Sequence, residues 1–331
     1  MAVLVTGAAG LIGYHLARRL LENKLEVVGI DNLNSYYDPA LKEARLAQLN
    51  KLQGFEFERL DITDYGSLEA LMRGRDDIDQ IVHLAAQAGV RHSLKEPRTY
   101  IDVNVMGHLN ILEICRFNAN VKHLVYASSS SVYGANEKTP YSVEDRVDNP
   151  VSLYGATKRS GELISESYSR LYKIPMTGLR FFTVYGPWGR PDMAAYLFAS
   201  AIFENRPIDV FNHGRMRRDF TYVDDIVDGI LGAMQRRLAS RDEGQAEHEV
   251  YNLGNHRSET LEDFISTLEA LCGRKAKRNM LPIQPGDVLA THAEISKSTK
   301  DLGFRPKTTI REGLDAFVRW YREYHQVDAS H

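Results

Sequence analysis

Hydrophobic positions along the chain follow two alternating rhythms. Short apolar runs that fit buried strands give way to stretches where apolar residues return every three or four positions, as on one helix face. Residues 2–5 form such a run, which breaks at Thr6-Gly7, and residues 15–21 then take helical spacing. Glu26–Asp31 is a second run, residues 55–61 alternate like a strand, and residues 80–86, 122–128 and 175–182 follow. Between them the spacing predicts helices over residues 40–52 (polar-faced), 67–73, 100–118 and 154–172. Strands alternating with helices at this rate predict an α/β fold with a parallel sheet, which places ligands at the carboxyl ends of its strands. Beyond Gly186 the elements shorten and Pro, Gly and Arg intrude, although residues 223–234, 261–272 and 310–324 keep helical spacing. Residues 249–253 read as a strand able to return to the main sheet, residues 237–248 as a solvent loop, and the tail after Gln326 as frayed.

The first junction gives this order a chemical meaning. Gly7, Gly10 and Gly13 lie between the first strand and the first helix, where glycine permits a tight turn and close approach of a pyrophosphate to backbone N–H groups. The second strand ends in Asp31, about twenty residues past the glycines, where an acid can accept both ribose hydroxyls of an adenosine. Asn32-Leu33 follows and no arginine adjoins Asp31, which favours NAD over NADP because the carboxylate repels a 2′-phosphate. The expected architecture is a Rossmann-type doubly wound parallel sheet with a smaller α/β C-terminal substrate lobe. Residues 1–185, with 223–255 returning, form the NAD-binding part; residues 186–222 and 256–331 form the lobe.

Charge narrows the partners. The 331 residues hold 41 Lys and Arg against 44 Asp and Glu, a net of −3, and no segment carries a basic stripe for nucleic acid. Cys115 and Cys272 suggest no disulfide framework, and no His, Cys or Asp cluster has metal-ligand spacing. The sequence starts in a strand without a leader pattern, and no apolar run approaches membrane-spanning length. A cytoplasmic protein without membrane or nucleic-acid partners is expected.

The reactive residues gather at two strand ends. Ser128-Ser-Ser-Ser131 closes one strand, and Tyr154-Gly-Ala-Thr-Lys158 opens a helix. Tyr and Lys four apart share a helix face, and an ammonium beside a phenol lowers its pKa from about 10. The tyrosine then serves as general base, while a serine bonds the substrate oxygen and relays its proton. Arg190 and Arg218 suit a diphosphate, since a guanidinium can fork two oxygens. Phe211 reads either as a ring that stacks on a ligand's base or as core, and Arg91 as a contact to a ligand carboxylate or a salt bridge. His83 reads as a hydrogen-bonded core histidine.

Together these residues resemble the extended short-chain dehydrogenase/reductase family, and within it the nucleotide-sugar epimerases. The resemblance runs through Thr6-Gly-Ala-Ala-Gly-Leu-Ile-Gly13, Asp61-Ile62, His83-Leu-Ala-Ala86, Asn104, Val132-Tyr-Gly134, Tyr154/Lys158, Leu179-Arg-Phe-Phe182 and Arg218-Asp-Phe220. It implies tightly held NAD along Gly7, Ala9, Gly10, Leu11, Ile12, Gly13, Asp31, Asn32, Asp61, Ile62, Leu84, Ala85, Ala86, Asn104, Ala127 and Phe181. It also places Gln87, where some relatives carry lysine, together with Tyr154 and Lys158, on the cofactor. Catalysis would fall to Tyr154 and Lys158 with Ser129 assisting, and Asp287 would accept from ribose hydroxyls of the substrate. Two long helices, 100–118 and 154–172, would pair across a twofold axis as a homodimer.

Residues after the serine strand sort the chemistry. Dehydratases of the family carry Thr-Asp-Glu there, and UDP-glucuronate decarboxylases a glutamate just before Val-Tyr-Gly; this chain has Ser131 at that position. Residues 31–46, Gln87-Ala-Gly-Val-Arg91, Tyr185-Gly-Pro-Trp-Gly-Arg-Pro-Asp-Met193 and Gln284-Pro-Gly-Asp-Val288 are similar to the uronate epimerases, which interconvert UDP-glucuronic and UDP-galacturonic acids. Gln284 departs from the UDP-glucose epimerases, which carry arginine there. A 4-keto uronate is a β-keto acid, and Ser129, Ser130, Ser131 and Thr183 would hold its carboxylate hydrogen-bonded and away from decarboxylation. The expected activity is C4 epimerisation of UDP-glucuronic acid through a 4-keto intermediate. Alternatives are a UDP-glucose/UDP-galactose 4-epimerase, a UDP-glucuronate decarboxylase, or a catalytically silent NAD-binding regulator.

Overall fold

The computed structural model describes residues 1–236, 238 and 246–327. The loop read at 237–248 lies largely, and the tail beyond Gln326 almost wholly, outside the described residues. The main sheet contains β1 (Ala2–Thr6), β2 (Glu26–Asp31), β3 (Phe55–Arg59), β4 (Ile78–His83), β5 (His123–Ser129), β6 (Met176–Phe181) and β11 (His248–Leu253). The remaining strands are short: β7 (Thr183–Tyr185), β8 (Pro207–Val210), β9 (Arg217–Arg218), β10 (Phe220–Tyr222), β12 (Glu259–Thr260) and β13 (Lys277–Met280). The seven-stranded sheet runs β11-β6-β5-β4-β1-β2-β3, with every neighbouring pair parallel. The strand order reverses between β1 and β4, which opens a crevice at their carboxyl ends.

Both sheet faces are covered, so the central strands are apolar on either side. One face packs on α1 (Leu11–Glu22) and α8 (Val223–Gln235), the other on α3 (Tyr65–Met72), α5 (His108–Phe117) and α6 (Leu153–Tyr172). A separate core joins α7 (Ala194–Phe203), α9 (Leu261–Cys272) and α11 (Ile310–His325) around Phe198, Phe264 and Phe317. Beside this core the short strands pair as β7/β10, β9/β12 and β8/β13.

The helix expected over 100–118 is not uniform. It consists of α4 (Pro97–Ile101), a π-helical turn over Asp102–Gly107, and α5. Asn104 explains the wide turn. Its Oδ1 accepts from Gln87 N at 2.8 Å, and its Nδ2 donates to Gln87 O at 2.9 Å and Thr157 Oγ1 at 3.1 Å. At Gly107 a Cβ would lie 2.7 Å from the Ile62 side chain, so a larger residue there would require Ile62 to shift. Ser152 caps α6 by accepting from Gly155 N at 3.0 Å, which puts Tyr154 and Lys158 in its first turns. No helix among the described residues is long and apolar enough to cross a membrane.

Candidate active site

The carboxyl ends of β1, β2, β4, β5 and β6 line one deep cleft with the loops of the smaller core. Gly7, Gly10, Leu11, Ile12, Gly13, Asp31, Asn32, Asp61, Ile62, Leu84, Ala85, Ala86, Gln87, Ala127 and Phe181 all line it. So do Ser129, Ser130, Ser131, Tyr154, Lys158, Thr183, Arg190, Arg218 and Asp287. Three expected residues stand elsewhere. Ala9 turns its carbonyl to a buried arginine behind the loop, Asn104 braces Gln87 from the π turn, and Phe211 lies outside under the Arg91 guanidinium, 4.1 Å from its ring centre.

The glycine turn shows why residues without side chains are needed. Gly7 has φ +72°, and a Cβ there would lie 2.8 Å from Ala85 N; at Gly13 it would lie 2.1 Å from Gly7 O. No acidic residue occupies the first turn of α1, which leaves its N–H groups open toward a phosphate. Thr6 fixes the facing strand: its Oγ1 accepts from Leu84 N at 3.1 Å and Ala85 N at 3.0 Å, and it lies 2.8 Å from His83 Nδ1. His83 is the core histidine expected, and burial holds its pKa well below the usual value. Asp31 is buried at the end of β2, and Asn32 Nδ2 donates to Asp61 Oδ2 at 2.7 Å. Cradle, open helix end and buried carboxylate fit a dinucleotide.

Two basic residues of this region escaped the sequence reading. Lys42 and Arg45 sit on α2 (Pro39–Leu49), the helix read as polar-faced, yet both are buried. Lys42 Nζ pairs with Asp31 Oδ1 at 3.1 Å and donates to Asn34 at 3.2 Å, so Asp31 is not the bare carboxylate the NAD-over-NADP argument assumed. The signal was present: Leu41, Lys42, Arg45, Leu46 and Leu49 form one stripe, and the two cations fall inside it. Tyr36, also unforeseen, enters the cleft, and its hydroxyl donates to Asp192 at 3.0 Å.

The candidate catalytic residues line the same cleft, with one departure in their electrostatics. Lys158 Nζ donates to Ala127 O at 3.0 Å, reaching the sheet rather than the phenol. Burial pushes the Tyr154 phenol up, opposed by its hydrogen bond to Ser129 and the charge of Arg190; it is not lowered by an adjacent ammonium as expected. Burial also brings Lys158 down to about 8. Beneath them, Ser128 Oγ donates to Glu162 at 2.6 Å, and Glu162 forks with Arg180 at 2.8 and 3.0 Å, fixing the serine strand end. Burial alone would raise the Glu162 pKa, but Arg180 and Ser128 outweigh it and hold the carboxyl low.

On the opposite wall the charged groups pair with one another. Arg190 grips Asp192 at 3.0 and 2.5 Å, and Arg91 pairs with Asp287 at 3.0 Å. The salt-bridge alternative for Arg91 is therefore the one realised. Arg218 donates to Arg217 O at 2.9 Å, and burial pushes its pKa down. Asp219, next in the chain, is buried and accepts from Asn255 N at 2.6 Å and Ala293 N at 3.0 Å, anchoring the β9–β10 segment that carries Arg218. Ser129, Ser130, Ser131 and Thr183 line the same cleft with hydroxyls.

Comparison with known proteins agrees with this geometry. Residues 3–254 match the model of the NAD dependent epimerase/dehydratase family. The chain is 46% identical over 336 residues to Protein CapI of Staphylococcus aureus, covering 98% of this chain and 100% of that protein. It is 46% identical over 333 residues to UDP-glucuronate 4-epimerase 3 of Arabidopsis thaliana, covering 98% of this chain and 77% of that one. It also superposes on the crystal structure of UDP-glucuronic acid 4-epimerase from Bacillus cereus in complex with UDP-glucuronic acid and NAD. That match has a TM-score of 0.90 and 37% identity, and covers 98% of this chain and 100% of the other.

Proposed function

The chain belongs to the NAD dependent epimerase/dehydratase family, and we propose that it is a UDP-glucuronate 4-epimerase working with resident NAD. The observation that carries the sugar assignment is the set of hydroxyls of Ser129, Ser130, Ser131 and Thr183 in the cleft that Tyr154 lines, with no carboxylate at position 131. The glycine turn, the α1 N-terminus and Asp31 would hold NAD, which would supply the hydride acceptor and donor that epimerisation at C4 requires. Tyr154 removes the C4 hydroxyl proton and gives it back, with Ser129 bonded to the phenol and the Arg190 charge favouring the phenolate. Lys158 holds its charge at the end of β5 beside the cofactor floor. Epimerisation needs no further acid or base, since no water is eliminated.

The hydroxyls hold the carboxylate while C4 is a ketone, and hydrogen bonds to an ionised acceptor are the strong ones. Arg190, Arg218 and Asp287 face the nucleotide, and Asp287 must exchange Arg91 for ribose hydroxyls to act there. Residues 1–185 with 223–255 serve the cofactor and 186–222 with 256–331 the nucleotide sugar, in a cytoplasmic enzyme. Ile101, Met106, Leu163 and Leu171 are 43, 48, 54 and 66% exposed, an apolar surface that supports homodimerisation through α4, the π turn and α6; sedimentation velocity tests it.

The test of the sugar assignment is NMR of product formed from UDP-glucuronic acid and, in parallel, UDP-glucose. Galacturonate without pentose is expected. A pentose nucleotide, or conversion confined to UDP-glucose, overturns the proposal. Thr183→Val and Ser130→Ala should raise CO₂ release relative to epimer; no change in that ratio contradicts the role of the hydroxyls.

A further inference from the structure

Arg45 has no exposed surface, and among the described residues its guanidinium pairs with no carboxylate. Nη1 donates to Ala9 O at 2.7 Å and to the Tyr37 hydroxyl at 2.8 Å. Nη2 donates to Trp188 O at 2.5 Å and to Gly189 O at 3.5 Å, while Nε has no partner. Ala9 belongs to the glycine turn, and Trp188 and Gly189 to the turn that presents Arg190. One nitrogen of one planar group therefore holds each turn.

Burying an ion without a counter-ion is costly, and two turns could be joined by neutral donors. Two further contacts make the junction continuous: His15 Nε2 lies 3.0 Å from Pro187 O, and the Trp188 ring packs 5.5 Å from Tyr14 of α1. Trp188 itself has φ +60°, a left-handed conformation uncommon outside glycine that its neighbours must hold in place. The Arg45 bond to its carbonyl is one such restraint.

We propose that Arg45 is a positioning residue that couples the cofactor turn to the Arg190 turn, so that NAD binding and diphosphate binding strengthen each other. The proposal rests on Arg190 meeting the diphosphate, as in the proposed function. Coupling of this kind is reciprocal, so it can be read on either ligand.

The experiment follows NAD release from the purified holoenzyme on dilution, with and without UDP, by assaying NAD retained on the protein. In the wild-type protein UDP should slow release by about tenfold. Arg45→Lys keeps the charge but cannot span both turns. It should release NAD faster, shrink the UDP effect to below about twofold, and raise KM for the UDP-sugar more than it lowers kcat. A tie that is only structural would lower the unfolding temperature and leave the UDP effect whole, which overturns the proposal. So does a wild-type protein whose NAD release ignores UDP. Should Arg45→Lys not fold, Tyr37→Phe removes one acceptor and leaves the arginine in place. An intermediate UDP effect then supports the coupling, and an undiminished one contradicts it. Loss of UDP-glucuronate turnover with coupling intact would count against the sugar assignment instead.

Discussion

On the cofactor side of the cleft, backbone and neutral side chains hold the glycine turn against the facing strand; on the substrate side, charged groups hold one another. Thr6, Asn104 and the glycines set the first wall through bonds that a bound dinucleotide need not break. Arg190–Asp192 and Arg91–Asp287 are ion pairs that, on the proposed function, would loosen when a diphosphate and a ribose arrive. The difference matches the two tasks. A cofactor that is to be reduced and reoxidised within one turnover would gain from a wall already in place, whereas a substrate that must leave would gain from contacts that can exchange.

The contrast can be broken most severely at the turn. Gly13→Ala puts a methyl 2.1 Å from Gly7 O, so the purified variant should carry no NAD and show no turnover; a normal NAD content in denatured protein would contradict the prebuilt wall. Tyr154→Phe should lower kcat by about 10²- to 10⁴-fold with NAD content unchanged, as expected for a lost general base. A comparable loss of NAD would make the tyrosine a cofactor anchor instead. Asp192→Asn acts on the exchanging side. Freeing Arg190 should lower KM for the UDP-sugar by about two- to fivefold, the scale of a partly exposed ion pair, while NAD retention stays level. A raised KM would mean that Asp192 holds Arg190 in its working position.

The smallest effect concerns the cation on the cofactor side. Folded, Lys158 titrates at about 8, whereas an unfolded lysine titrates near ~10.5. Below about 8 the buried charge weighs fully against folding, and between these values the unfolded chain binds more protons. Stability of the cofactor-free protein should therefore rise with pH across that window. Lys158→Met should flatten the rise in denaturant titrations; an unchanged slope would assign it to another group.

The same comparison explains what could be read from sequence. Strand runs, the glycine spacing and the acid after β2 are local features, and they placed the cofactor wall well. Tyr154, Lys158 and the serines were legible because each lies at the end of an element whose pattern was clear. What stayed hidden is tertiary. Lys42 and Arg45 fall inside the apolar stripe of α2, which marks them as inward-facing, but nothing nearby in sequence reveals that Asp31, Ala9 and Trp188 are their partners. The π turn at Asn104 depends on Gln87 and Thr157, 17 residues before and 53 after it. The Tyr154–Lys158 pair was the reverse case: helical spacing suggested direct contact, but the lysine extends to the Ala127 carbonyl.

The central claim is that hydride leaves C4 and returns to C4 without leaving the protein. It is tested most directly with UDP-glucuronic acid deuterated at C4, turned over by purified protein with no added cofactor and, in parallel, with an added pool of NADH. Deuterium retained at C4 of UDP-galacturonic acid is the predicted result. Loss of the label to solvent or to an added pool of NADH, or no reaction until NAD is supplied, would contradict it.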